Sequence, residues 1–133
     1  MKKHLTSLLA LGLLLAASAH AQTALKVNIP FDFVVNGHTM SAGEYRVETL
    51  GTASNAISIR GTDKALALTF ACAASEPSLN SKLIFHRYGG EYFLAQVWAA
   101  GSSSGRQLPR SAAEREIASG PYAAQLVAVA AMP

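Results

Sequence analysis

The sequence predicts a mainly β fold: a single antiparallel barrel or sandwich of about seven to eight short strands with one short C-terminal helix. Three observations lead there. Lys82 to Gly101 holds two β-rich runs on either side of Gly89-Gly90, the pattern of a β-hairpin closed by a two-residue loop. Apolar and polar residues alternate with period two through most of the chain from Leu25 to Arg60. Near the end, Ser111-Ala-Ala-Glu114 has the spacing of a capping box, with Gly120-Pro121 a short way beyond to stop the helix it would start.

The hairpin sets the frame. With positive φ at both glycines, Tyr88 faces Glu91, Arg87 faces Tyr92, His86 faces Phe93, Phe85 faces Leu94, Ile84 faces Ala95 and Leu83 faces Gln96. Leu83, Phe85, Tyr92, Leu94 and Trp98 then form the core wall. Ile84, His86, Tyr88, Phe93 and Val97 share the other side, which is apolar enough to need partial cover.

Residues 1–21 read as a signal peptide and are set apart from the fold. Lys2 and Lys3 supply a positive start, Leu5 to Ala17 is apolar, and Ala19-His20-Ala21 is a small-x-small cleavage site, so cleavage is expected between Ala21 and Gln22. Residues 22–133 would be a single β-rich domain, exported to the periplasm or secreted. The apolar stretch is too short to span a membrane, which takes about 20 residues. Membrane-barrel strands need about 9 to 11 residues each, more than most runs here offer. Without Lys2 and Lys3, nine basic residues face eight acidic ones, so no basic face of the kind that binds nucleic acid is expected.

Taken in order, Leu25, Val27 and Ile29 alternate with Lys26 and Asn28, and after Pro30 a second strand runs from Phe31 to Val35. Asn36-Gly37 is a strong hairpin dipeptide leading into His38-Thr39-Met40. Ser41-Ala42-Gly43 turns the chain into a strand with Tyr45, Val47 and Thr49 on one face. The loop Gly51 to Asn55 leads to Ala56–Arg60, and Gly61-Thr62-Asp63 turns into Lys64 to Ala74, with Leu66, Leu68, Phe70 and Cys72 on one parity; its alanines leave a helix open, but phase and β-branching favour one longer strand. Glu76 to Asn80 is a loop, and Ser102 to Arg106 a polar, flexible segment. The helix runs from Ala112 to Ala118 and docks through Ala113 and Ile117, because so short a helix is not stable alone. Ala124 to Ala130 is a last strand pairing with an edge.

Four segments, Leu25–Val35, Ser41–Val47, Ser81–Leu94 and Leu108–Glu116, resemble a family of small exported bacterial β-rich proteins of unknown function. In that family the second segment usually begins Pro-Ala-Gly-x-Tyr; Ser41 stands here in place of the proline, which loosens that turn. The resemblance implies export, length and a β-rich fold, and carries no activity.

Chemistry is sparse. His38 and His86 are the histidines outside the leader, and no close ligand spacing joins them to Asp32 or Glu91 for a metal. Cys72 has no partner for an internal disulfide and reads as a small buried hydrophobe. Glu114 and Glu116 sit two apart and hence on different helix faces. There is no nucleophile elbow and no phosphate-cradling glycine loop. The candidate ligand site is the hairpin cluster His86, Arg87, Tyr88, Tyr92 and Trp98, which would suit an apolar or sugar-like small ligand; an envelope protein is the other partner considered. No cofactor is expected. The leading reading is a non-enzymatic binding or structural β-domain of the cell envelope, and the alternative is a small periplasmic hydrolase or metal-dependent enzyme using His86.

Overall fold

The computed structural model describes residues 24–50 and 55–132. The expected leader with its Ala21–Gln22 boundary, and most of the loop at 51–55, lie outside these residues. The strands are β1 (Ala24–Ile29), β2 (Phe33–Val35), β3 (His38–Met40), β4 (Gly43–Leu50), β5 (Ala56–Gly61), β6 (Lys64–Leu68), β7 (Phe70–Ala73), β8 (Lys82–Tyr88), β9 (Glu91–Trp98), β10 (Ser104–Gln107) and β11 (Gln125–Met132), with helix α1 (Ala112–Ala118) before the last. Among the described residues eleven strands replace the expected seven to eight.

Three local causes account for the difference. The long strand expected from Lys64 to Ala74 breaks at Thr69 into β6 and β7, which pair with different neighbours. The polar segment after Gly101 is not a loop: Ser104–Gln107 is β10, wedged between β7 and the end of β9. The β2–β3 pair adds a small hairpin, joined to β9 by a parallel bridge, Val34 to Phe93, in an otherwise antiparallel sheet.

Pairing runs β1–β4–β5–β6, crosses through Thr69 into β7, and continues β10–β9–β8–β11 back to β1, so the sheet is a nearly closed barrel. At the crossing, Arg106 of β10 donates from Nε to Thr69 Oγ1 (3.0 Å) and from Nη2 to the Thr69 carbonyl (3.3 Å), while the Thr69 N–H donates to the Asn55 carbonyl (2.8 Å). The break thus keeps its hydrogen bonds. The last strand, β11, is no edge addition, for it lies between β8 and β1.

Alternation predicts the core faces of β1, β4 and β5 well: Leu25, Val27, Ile29, Tyr45, Val47, Ile57 and Ile59 are buried in one cluster with Phe33, Phe85 and Leu83. In β6 the parity is the reverse of the expected one. Ala65 and Ala67 face the core, while Leu66 (62% exposed), Leu68 (70%) and Phe70 (49%) face outward. Small inward residues let β6 run close to β2.

The central hairpin keeps its expected register from Tyr88–Glu91 to Phe85–Leu94; a bulge then pairs Ile84 with Gln96 and Leu83 with Val97. One extra residue flips every later side chain to the other face. Val97 therefore joins the core and Trp98 faces outward, the reverse of the expectation. Trp98 is buried there against Gly105 of β10, where an added Cβ would come within 2.7 Å of the indole. The turn also differs: φ is +61° at Gly89 and Gly90 is not left-handed, the pattern of a type II′ turn.

Asn36 (φ +49°) and Gly37 (φ +80°) form the expected β2–β3 turn. The Ser41–Gly43 turn is held by carboxylates: Asp63 Oδ2 accepts from the Ser41 N–H and Asp32 Oδ1 from the Ala42 N–H, both at 2.8 Å, while the Tyr45 hydroxyl donates to the Ser41 carbonyl (2.6 Å).

Two glycine substitutions check this geometry. Gly105→Ala should lower stability by about 1–3 kcal/mol through overpacking against Trp98. Gly89→Ala should lower it by about 1–2 kcal/mol, the cost of a left-handed residue with a Cβ, whereas Gly90→Ala should be near neutral, since nothing lies within 4 Å of its added Cβ. Urea titrations of the three variants decide it; equal losses at Gly89 and Gly90 would mean a different turn.

Candidate functional site

Helix α1 lies where the outer side of the hairpin needs cover, and one carboxylate places it there. Ser111 caps the helix as its spacing predicts, its hydroxyl accepting from the Glu114 N–H at 3.2 Å. Glu114 does not complete the capping box. Its side chain turns into the sheet instead, where Oε2 accepts from Tyr88 Oη (2.9 Å) and His86 Nδ1 (2.8 Å), with Arg110 Nε at 3.6 Å. Because the acceptor is a carboxylate, Nδ1 carries the imidazole proton.

The docking residue is therefore Glu114 rather than Ala113, which is exposed, or Ile117, which is half-buried. The Glu114 side chain retains 5% of its exposure and that of His86 20%. A buried carboxylate needs donors and a nearby cation to offset lost hydration, and here His86, Tyr88 and Arg110 supply them. Burial, then the neighbouring Glu114, pushes the Tyr88 phenol above its ordinary value of 10.0. Among the described residues no buried side-chain nitrogen or oxygen lacks a hydrogen-bond partner.

The five residues singled out from the sequence do not form one site. His86 and Tyr88 meet at Glu114. Arg87 and Tyr92 lie on the core side of the hairpin near its turn, where Tyr92 packs against the core as expected, with the Arg87 guanidinium 5.5 Å from the Tyr92 ring centre and Tyr92 stacked on Phe31 at 3.7 Å. Trp98 is far along the hairpin, its Nε1 donating to Gln96 Oε1 at 2.9 Å. Beside it, a groove of about 490 Å³ is lined by Leu79, Lys82, Ile84 and Leu126. Glu114, the residue that organises the cluster, is not in the sequence-derived set; the capping-box spacing that singles it out points to the wrong partner.

A hollow of about 110 Å³ adjoins Glu114, lined mainly by Val34, Phe93, Leu94, Leu108 and Pro109. That is below the roughly 300–1,000 Å³ of typical small-molecule pockets. Among the described residues no three His, Cys, Asp or Glu side chains are grouped to hold a metal ion, and no helix is long and apolar enough to cross a membrane. Cys72 is half-buried on β7 opposite Gly105, and burial pushes its thiol upward, away from a reactive thiolate. Comparison with protein-family models, curated proteins and solved structures finds no match to this chain.

Tyr88→Phe removes one donor from a buried carboxylate and should cost about 1–3 kcal/mol while leaving the barrel intact. Alkali should act on the same group. A phenol raised in the folded state contributes stability fully present below the unfolded value of about 10 and lost as pH climbs through the folded value. Tyr45, raised by burial and then by Asp63, adds in the same sense. Melting temperature should hold up to about pH 10 and fall beyond it, less steeply in Tyr88→Phe; a flat alkaline limb would contradict the buried phenols.

Proposed function

We propose that the protein is a non-enzymatic binding or structural β-domain exported to the cell envelope. The observation that carries this reading is the use to which His86, Tyr88 and Glu114 are put. His86 Nδ1 and the Tyr88 hydroxyl both donate to Glu114 Oε2, and the result is a docked helix closing the outer face of the hairpin. A polar network satisfied internally rigidifies a fold and leaves little to offer a substrate. The core behind it is filled by aromatic and aliphatic side chains, with Phe33, Tyr45 and Phe85 packed edge to face. Binding would then use the outside of the barrel. Export rests on the leader pattern at residues 1–21.

One observation favours a second reading, a hydrolase using His86. A carboxylate on Nδ1 is how general-base histidines are oriented. Against it, no serine, threonine or cysteine side chain among the described residues is hydrogen-bonded to His86.

The double change His38→Ala with His86→Ala separates the two. Export and partner association should stay within a few-fold of the parent, with a stability loss of about 1–3 kcal/mol because Glu114 loses a donor. A hydrolase-substrate panel should find no histidine-dependent turnover. Activity in the parent that drops at least about a hundredfold in the folded double variant would overturn the binding reading.

A further inference from the structure

At one end of the barrel the inward-facing positions turn from apolar to polar. β1 begins there with Leu25, β4 runs inward through Tyr45 and Val47 to Thr49, and β9 ends just past Val97. β10 starts on the wall opposite β1 and β4, and its pairing sets Arg106 across from Val97. Cross-strand partners share a face, so Arg106 lies on the same side as Val97, the side that carries the core. Between the walls is a recess of about 320 Å³, with Leu25, Val47 and Val97 as its apolar floor and Thr49, Ser104 and Arg106 at its rim. The packed interior ends at that floor, so a molecule in the recess stays outside the core.

Arg106 is a cation without an anion. Its half-buried guanidinium donates from Nε to Thr69 Oγ1 and from Nη2 to the Thr69 carbonyl, both neutral acceptors. All eight Asp and Glu residues of the chain are among the described residues, and none forms an ion pair with Arg106. Taking a charge partly out of water without pairing it is costly. A guanidinium has more N–H donors than Thr69 uses. Thr69 therefore fixes one edge of the group, and Nη1, which is not a buried atom, stays open to an external acceptor.

The lining defines what that acceptor belongs to. Among the described residues Arg106 is the one charged side chain at the recess, so it balances a monoanion. A phosphate monoester carries nearly two negative charges and a nucleic acid a row of them. A carboxylate carries one, on two oxygens that match the planar guanidinium fork. The floor is aliphatic and, among the described residues, offers no aromatic ring to stack on, which suits an aliphatic chain below the carboxylate. A peptide ending in a carboxylate would add its strand to a sheet edge. Here β1, β4, β9 and β10 each have a paired strand on both sides, so no such edge borders the recess. The volume falls near the lower end of the roughly 300–1,000 Å³ of small-molecule sites, for which barrel mouths are a common place, and so admits a short chain.

We infer that this recess at the barrel mouth is a binding site for a small aliphatic monocarboxylate, its carboxylate on the Arg106 guanidinium and its chain on Leu25, Val47 and Val97. The inference names a ligand class for the binding module proposed above and rests on that reading.

The test is isothermal titration of the full chain with octanoate. The parent should bind with one-to-one stoichiometry and a Kd of about 1 mM or below. Each CH2 added between butanoate and octanoate should tighten binding by up to about fourfold, and the Leu25, Val47 and Val97 methyl resonances should shift. Octanamide, of the same shape but uncharged, should bind at least about tenfold more weakly. Arg106→Gln should weaken octanoate at least about tenfold and leave octanamide unchanged. If it weakens both, the Thr69 crossing has loosened and Ser104→Trp decides: it fills the recess from an exposed position, keeps both Arg106–Thr69 bonds and should abolish binding. No saturable binding by the parent up to about 10 mM, equal affinity for octanamide, or octanoate binding that neither variant weakens overturns the inference. So does tighter binding of octyl phosphate or of a short peptide ending in valine. Each of these leaves the non-enzymatic reading standing, because that falls only with histidine-dependent turnover.

Discussion

The barrel depends on one bend. At Thr69 the chain leaves the β1–β4–β5–β6 half and enters the β7–β10–β9–β8 half, so a single covalent strand does the joining that hydrogen bonds do elsewhere. Such a bend exposes backbone groups that a regular ladder would pair, and an unpaired buried peptide group costs as much as a lost hydrogen bond. Arg106 and the Asn55 carbonyl remove that cost. Arg106 can reach Thr69 because β10 lies where it does, and β10 lies there because Gly105 admits the Trp98 ring. Bend, arginine, glycine and indole form one dependent set.

Glu114 is the corresponding constraint outside the barrel. A seven-residue helix has little stability of its own, and its contacts are few and small. One carboxylate inserted between Tyr88 and His86 replaces the broad apolar face such a helix would otherwise need. Arg110, one turn earlier, keeps the site near neutral.

Much of this was legible in the sequence where period two and turn chemistry agree. Leu25–Ile29, Tyr45–Val47 and Asn36-Gly37 take the expected faces and turn, and α1 has the expected ends. Failures came where backbone irregularity outranks pattern. A bulge beside Ala95 moves Val97 inward and Trp98 outward, and no residue type announces it. In β6 the hydrophobic signal points the wrong way, since alanines fill the narrow interior and leucines stay outside. Ser104–Gln107 looks like a linker because its strand role comes from its neighbours, not its own propensity. The candidate site was half legible: His86 and Tyr88 stand together, but Arg87, Tyr92 and Trp98 are dispersed, and spacing alone does not reveal that Glu114 reaches across to the sheet.

The position of β11 bears on the order of folding. It pairs Lys26 with Met132 and Val27 with Ala131 on one side and with β8 along six residues on the other. The closing contacts therefore join segments about as far apart in sequence as this chain allows, and loop-closure entropy must be met before they form. The β8–β9 hairpin and the β4–β5–β6 meander can assemble locally and early. A nascent chain that has not yet released β11 holds two open sheet edges, β1 and β8, which are the surfaces most prone to pair with another molecule.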